Sequence, residues 1–310
     1  MRVLVTGACG YKGSVLVPKL LALGHQVIAL DIGWFGNFLA PHPDLINIVA
    51  DVRDIDNVPM DAVECIIHLA SVANDPCGDL NPELTWEISC LSTMQLIQKA
   101  VQHGVGQFIY ASSGSVYGVK DEEQVTEDLS LVPISGYNKT KMIAERVLLS
   151  YSDKLALQIV RPATVCGLSP RMRLDVAVNM LTAQAYSSGV ITVLGGAQTR
   201  PNIHIDDITD LYIFLMERPD VLGIYNAGFE NLTISEIARM VAKSTGARIE
   251  VKPSNDPRSY RVNSEKILAT GFQPKKSVQD AVDEVLYALK SAELLDEPRC
   301  YNLQWMAEHV

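Results

Sequence analysis

Short, uninterrupted apolar runs alternate along the chain with longer stretches whose apolar residues recur at helical spacing. The runs Arg2 to Thr6 (RVLVT), Gln26 to Leu30 (QVIAL, closed by Asp31), Ile46 to Val49, Cys65 to Leu69 (CIIHL), Gln107 to Ala111 (QFIYA) and Leu157 to Val160 (LQIV) predict six strands. Helices are predicted from Gly13 to Leu23, stopped by Gly24, from about Glu83 to His103, and from near Ser135 to about Ser150. Strands without polar alternation, separated by helices, predict a doubly wound parallel sheet covered on both faces, an α/β fold. The pattern turns irregular after Pro162 and resumes around Ile203 to Glu217. No repeat or low-complexity linker interrupts it, so a second, smaller lobe would be built from C-terminal excursions of the chain.

Composition sharpens this picture. With 310 residues, 48% of them hydrophobic and 20% charged, the chain can fill a large α/β domain and a second lobe. A formal net charge of −10 argues against a nucleic-acid partner. Six scattered cysteines with no C-x-x-C pair, and a start (MRVLVTG) without export-signal features, predict reduced thiols in a cytoplasmic protein. No apolar run approaches the roughly 18 residues that would span a bilayer, so no membrane association is expected.

The segment GACGYKG, residues 7–13, lies between the first predicted strand and the first helix. Gly7 suits a tight turn, Gly10 a close backbone approach to a pyrophosphate, and Gly13 close helix–strand packing; the helix N-terminus then offers free N–H groups to phosphate. Asp31, at the end of the second strand, can accept from the ribose hydroxyls of a dinucleotide and repels a 2′-phosphate, which favours NAD over NADP. Asp51 ends the third strand in VADVRD, where it either meets the adenine amino group or caps the next helix. No metal site is predicted.

YNKTK places Tyr137 and Lys141 at i and i+4, on one helix face. A phenol with a pKa near 10 is a poor base, but a nearby ammonium together with an oxidised nicotinamide would lower that value. The serine-rich ASSGSVYG, residues 111–118, follows the fifth strand, where ligands bind in open α/β sheets; Ser113 could bond the same reacting hydroxyl. Y-x-x-x-K alone is commonplace. Its weight comes from the order in which glycine turn, Asp31, serine-rich strand end and Y-x-x-x-K follow one another.

These segments, with HLAS at 68–71, RPATVCG at 161–167, QTRPNIHIDDITD at 198–210 and NDPRSYRVNSEKI at 255–267, resemble the extended short-chain dehydrogenase/reductases, in the NAD-dependent sugar-nucleotide epimerase/dehydratase family. The resemblance runs over nearly the whole chain. It implies a Rossmann-type NAD-binding domain at 1–165, rejoined by the chain at about 203–226, and a smaller mixed α/β lobe at 166–310 for the sugar nucleotide. Ser113, Tyr137 and Lys141 would be catalytic. Gly7, Gly10, Tyr11, Lys12, Gly13, Asp31, Asp51, Val52, Leu69, Ala70 and Ser71 would line the NAD site with Tyr137 and Lys141. Ser115, Arg171, Arg173, Asn179, Arg200, Arg258 and Tyr260 would face the nucleotide diphosphate and its sugar.

The departures carry information too. The family's 4,6-dehydratases carry an Asp-Glu pair where this chain has Gly114 and Ser115, so dehydration of that type is not expected. Ser89 and Cys166 replace a frequent asparagine and a frequent tyrosine. LSPRMRLDVAVNM, residues 168–180, resembles a branch with C4-oxidising enzymes acting on GDP-heptose in bacterial capsule and lipopolysaccharide pathways; its arginines either recognise an anion or form a solvated loop. The resemblance implies C4 epimerisation through a 4-keto sugar, with C4 oxidation releasing NADH as the alternative and a non-catalytic NAD-binding regulator as a remote third. It also implies a homodimer joined through helices 83–103 and 135–150. The stretch 291–310, with Cys300, Tyr301 and Trp305, would pack on the body or on a neighbouring subunit. Lys12, where an apolar residue is usual, would add charge attraction for the pyrophosphate.

Overall fold

The computed structural model describes residues 1–120, 122–254 and 259–310. Six strands, β1 (Arg2–Thr6), β2 (Gln26–Asp31), β3 (Leu45–Val49), β4 (Cys65–His68), β5 (Gln107–Ala111) and β6 (Ala156–Pro162), lie in the order β3-β2-β1-β4-β5-β6, and a seventh, Gly223–Ala227, pairs with β6. All neighbours run parallel. The chain winds outward from β1 to β3 and then restarts at β4 on the other side. The carboxyl ends of β1 and β4 therefore flank a crevice, the place where such sheets bind ligands.

Burial explains the apolar runs. β4 and β5 are buried at every position, whereas the edge strand β3 is partly exposed. Along β1, Val3 and Val5 enter the core on one face of the sheet and Leu4 the core on the other, as a period of two requires. The helix Gly13–Ala22 turns Leu16, Val17 and Leu20 inward, and the chain leaves it through Gly24 at φ 81°.

The predicted helix over 83–103 is broken into three. A helix Pro82–Trp86 passes through a π turn, Glu87–Leu91, into the helix Ser92–Gln102. Apolar spacing does not register one extra residue in a turn. A short helix, Asp75–Leu80, precedes them, and β6 extends past the predicted Leu157 to Val160 at both ends.

The chain rejoins the large sheet through the helix Ile205–Glu217, whose buried side chains share a core with the helix Gly13–Ala22, and then through Gly223–Ala227. The smaller lobe packs the helices Ala177–Ser188, Ile234–Thr245 and Val278–Lys290 around Val178, Leu181, Ile237, Val241 and Val282. Two small sheets complete it: a parallel pair, Val190–Leu194 with Arg248–Lys252, and a mixed three-stranded sheet of Thr164–Cys166, Thr199–His204 and Glu230–Thr233. The last helix, Asn302–His309, returns to the large lobe, where Met306 joins the core that holds Cys77 and Ile88. Among the described residues no helix is long and apolar enough to cross a membrane, and all six cysteines are buried free thiols.

Candidate active site

A cleft of about 530 Å³ opens at the β1/β4 switch point and reaches into the smaller lobe. The glycine turn forms its floor. Gly7 has φ 69°, and a Cβ there would stand 2.7 Å from the Ala70 nitrogen; at Gly13 a Cβ would stand 2.4 Å from the Gly7 carbonyl oxygen. Both positions exclude a side chain by close backbone approach. At Gly10 a Cβ would meet only the Gly7 oxygen, at 3.2 Å, so its other side faces the cleft. The helix Gly13–Ala22 begins at Lys12 with no side-chain cap; the Ser14 amide donates to the Gly10 carbonyl at 2.9 Å and the Val15 amide to the Lys12 carbonyl at 3.2 Å, and the positive end of the helix lines the cleft through Lys12 and Gly13. This cradle fits a dinucleotide pyrophosphate.

Asp31 joins the turn to the loop after β2: its Oδ2 accepts from the Cys9 amide at 2.9 Å and its Oδ1 from the Gly33 amide at 2.8 Å. Burial holds its carboxyl above the usual range, opposed by those two amides and by the Arg171 charge. Each oxygen keeps a lone pair for a hydroxyl donor. Asp51 lines the cleft but caps no helix; it accepts from the Arg53 amide at 2.8 Å and pairs with the Arg53 guanidinium at 2.7 Å. Val52, Leu69, Ala70 and Ser71 line the same wall, and Ser71 meets Ser89, in the π turn, at 2.9 Å between hydroxyls.

The residues expected to be catalytic lie just after β5 and at the start of the helix Gly136–Leu149. Ser135 caps that helix by accepting from the Asn138 amide, which sets Tyr137 in its first turn. Lys141 follows one turn later, 2% exposed, with Nζ donating to the Ala111 carbonyl at 2.9 Å and standing 6.0 Å from the centre of the Tyr137 ring. Burial, and then the charge of Lys12, brings Lys141 down to about 7, against a pull upward from Glu145. Burial pushes Tyr137 up to about 12, and the opposing pulls come from its hydrogen bond with Ser113 and from the Arg173 charge. The Lys141 side chain, 6.0 Å from the ring centre, and a bound oxidised nicotinamide are the charges that would pull the phenol back down.

Ser113 Oγ lies 2.6 Å from Ser115 Oγ, and Ser115 in turn donates to the Asn138 side chain. Lys12 lines the cleft 5.9 Å from the centre of the Tyr212 ring, and burial followed by the Arg173 charge brings it to about 8. Behind these groups Arg161 pairs with Glu145 at 2.6 Å, both almost wholly buried, and Ser112 donates to the same carboxylate.

The residues expected at the substrate end divide. Ser115, Arg173, Arg200 and Tyr260 line the cleft, with Arg173 in a two-point pair with Asp175 at 2.8 and 3.0 Å. Arg171 lies instead beside Asp31, its guanidinium 3.7 Å from the centre of the Phe35 ring and bonded to Asn302 at 2.6 Å. Asn179 is fully buried behind the wall. Its oxygen accepts from the Gly167 amide at 3.0 Å, while its nitrogen donates to the Tyr11 hydroxyl at 3.0 Å and the Arg173 carbonyl at 2.9 Å. Tyr11 donates onward to the Gly167 carbonyl at 2.7 Å, tying the glycine turn to the second lobe. Arg258 lies outside the described residues.

Asn138, Asp175 and Asn302 also line the cleft and were not singled out from sequence. Asn138 stands beside Tyr137 and Asp175 two residues from Arg173, a local cue; Asn302 is a long way along the chain from everything it meets. Elsewhere, His204, Asp206 and Glu284 come together as a metal site could. Their atoms serve the fold: His204 Nδ1 accepts from the Asp206 amide at 3.1 Å and caps the helix Ile205–Glu217, Nε2 meets Glu284 at 3.1 Å, and the two carboxylates pair with Lys19 and Lys276.

Residues 3–228 match the model of the NAD dependent epimerase/dehydratase family. The chain belongs to that family. It is an enzyme of the extended short-chain dehydrogenase/reductase type with NAD as cofactor. Over 93% of its length it is 28% identical to an uncharacterized UDP-glucose epimerase, YtcB, of Bacillus subtilis, covering 98% of that protein. Among solved structures it is similar to MoeE5 in complex with UDP-glucose and NAD (26% identity, TM-score 0.82, 95% of this chain and 100% of that one). It is also similar to the UDP-glucose 4-epimerase of Thermus thermophilus in complex with NAD (25% identity, TM-score 0.83, 94% and 100%).

Proposed function

We propose that the protein is an NAD-dependent sugar-nucleotide 4-epimerase acting on a UDP-sugar such as UDP-glucose. The observation that carries this reading is the group of side chains at the reacting end. Tyr137 and Ser113 line the same part of the cleft, Lys141 stands 6.0 Å from the Tyr137 ring centre, and Gly114 and Ser115 occupy the positions where a dehydratase would carry its acid pair. Ser115 is spent on Ser113 and Asn138, so nothing at that place offers the proton exchange that loss of water requires.

NAD supplies a hydride acceptor and, when oxidised, a positive charge. The glycine cradle and the positive end of the helix Gly13–Ala22 would hold its pyrophosphate, and Asp31 its ribose hydroxyls. Tyr137 takes the proton of the substrate 4-hydroxyl while Ser113 holds the same oxygen. Lys141, fixed by the Ala111 carbonyl, stabilises the phenolate. For epimerisation the 4-keto sugar would be reduced on its opposite face, and Tyr137 would give its proton back to the 4-oxygen. Arg173, Arg200 and Tyr260 face the substrate end, where guanidinium forks suit a diphosphate. The relatives named for UDP-glucose support uridine as the nucleotide.

Oxidation at C4 with release of NADH uses the same residues. The stretch 168–180 divides on this point: Arg173 lines the substrate end of the cleft, whereas Arg171 packs on Phe35 and Asn179, in the helix Ala177–Ser188, is buried behind the wall. The six buried free thiols support a reducing, cytoplasmic setting. Exposed Leu91 and Met94 on one helical segment and Ile143 on the other support a homodimer through these helices. The test is UDP-glucose deuterated at C4. Epimerisation leaves the label at C4 of the product, whereas oxidation with release moves it into free NADH.

A further inference from the structure

The chain after the helix Val278–Lys290 ends against the Asp31 side of the cofactor cleft, where it is tied to three separate segments. Leu174 donates its amide to the Cys300 carbonyl at 2.9 Å, and Asn302 donates its amide to Asp175 Oδ2 at 3.1 Å. Asn302 Oδ1 accepts from Arg171 Nη2 at 2.6 Å. Trp305 Nε1 donates to the Trp34 carbonyl at 2.7 Å, on the loop that follows Asp31. Met306 is buried in the core beneath the helix Asp75–Leu80. Trp34, Phe35, Arg171 and Asn302 all line the cleft beside Asp31.

We infer that residues 298–310 are a strap that completes the subsite for the adenosine half of NAD, with Asn302 and Trp305 as positioning residues for Arg171 and the Trp34–Phe35 loop. Asn302 holds one edge of the Arg171 guanidinium while the Phe35 ring covers its face, 3.7 Å from the ring centre. Arg171 thus comes from the second lobe to stand next to the carboxylate that reads the ribose. Trp305 holds the loop that forms the opposite edge. An eight-residue helix is marginal by itself, so the order of Asn302–His309 comes from these contacts and is lost when they break together. The dinucleotide leaves when the strap lifts.

The inference rests on NAD as cofactor and is independent of which sugar is turned over. The experiment uses the full-length protein without any sugar nucleotide. Dissociation of NAD is followed after a chase, and affinities for ADP-ribose and for nicotinamide mononucleotide are measured, in wild type, Asn302→Ala and Trp305→Phe. Melting of the apoprotein is recorded alongside. A hydrogen bond to a charged group commonly contributes enough for about a tenfold change. Asn302→Ala is expected to release NAD about tenfold faster and to weaken ADP-ribose in step, with nicotinamide mononucleotide unchanged; Trp305→Phe, which keeps an aromatic side chain but loses the indole N–H donor, acts in the same direction. Unchanged NAD release and ADP-ribose affinity in both variants would overturn the inference. So would equal weakening of both half-cofactors, which a general loosening of the fold would produce.

Discussion

Lys141 stands 6.0 Å from the centre of the Tyr137 ring and donates to the Ala111 carbonyl at 2.9 Å, so the backbone of β5 fixes the cation behind the phenol. The phenol itself is held by Ser113 and pushed up to about 12, so as a base it depends on the charges around it. Replacing Tyr137 by Phe should therefore lower turnover by roughly 10²–10⁴-fold, the range for a positioned acid–base group, while NAD affinity changes little. Paired measurements of kcat and NAD binding check this, and turnover close to wild type would remove Tyr137 from the mechanism.

Burial of Lys141 gives a stability prediction with a definite sign. Its pKa is about 7 when folded and near 10.5 when exposed, so between those values the unfolded chain binds the extra proton. The apoprotein should become more stable as pH rises from 7 towards 10, once other titrating groups are accounted for, and Lys141→Met should flatten that rise. Melting curves across the range in both proteins test it. A slope that the substitution leaves unchanged would mean that the ammonium is solvated.

Lys12 couples to the same group. Its charge is the second cause of the low Lys141 pKa, and it lines the cleft at the start of the helix Gly13–Ala22. Lys12→Met should raise the Lys141 pKa, weaken NAD binding, and reduce the dependence of that binding on salt, since one cation facing the pyrophosphate is lost. Titrations at several ionic strengths would show parallel salt slopes if Lys12 is only a solvated side chain.

The buried pair Glu145–Arg161 holds the back of the site. Glu145→Ala would leave the guanidinium uncompensated and should cost about 3–5 kcal/mol of stability. Denaturant unfolding measures this directly; a loss near 1 kcal/mol would place water around Arg161.

The parts of the site legible in sequence are those built by neighbours along the chain. Gly7, Gly10 and Gly13 make one turn, Ser135 and Tyr137 share a first helical turn, and β1, β4 and β5 announce themselves because both sheet faces are covered. Arg171 and Asn179 gave no such reading. An arginine on a loop and an amide on a helix look the same in sequence whether they meet a diphosphate, Phe35 or the Gly167 backbone, and only the packing of the two lobes decides. The π turn at Glu87–Leu91 keeps an apolar spacing close to that of an ordinary helix, so nothing in the residues marks the break. Tyr137 shows a further limit. The residue is visible, but the burial that raises its pKa comes from packing between segments, which no motif encodes.

The most direct test of the central claim is to incubate the purified protein with UDP-glucose and follow product stereochemistry and NADH absorbance together. UDP-galactose is expected to approach equilibrium with UDP-glucose, with no NADH accumulating. NADH appearing in step with a released 4-keto sugar, without the epimer, would contradict it.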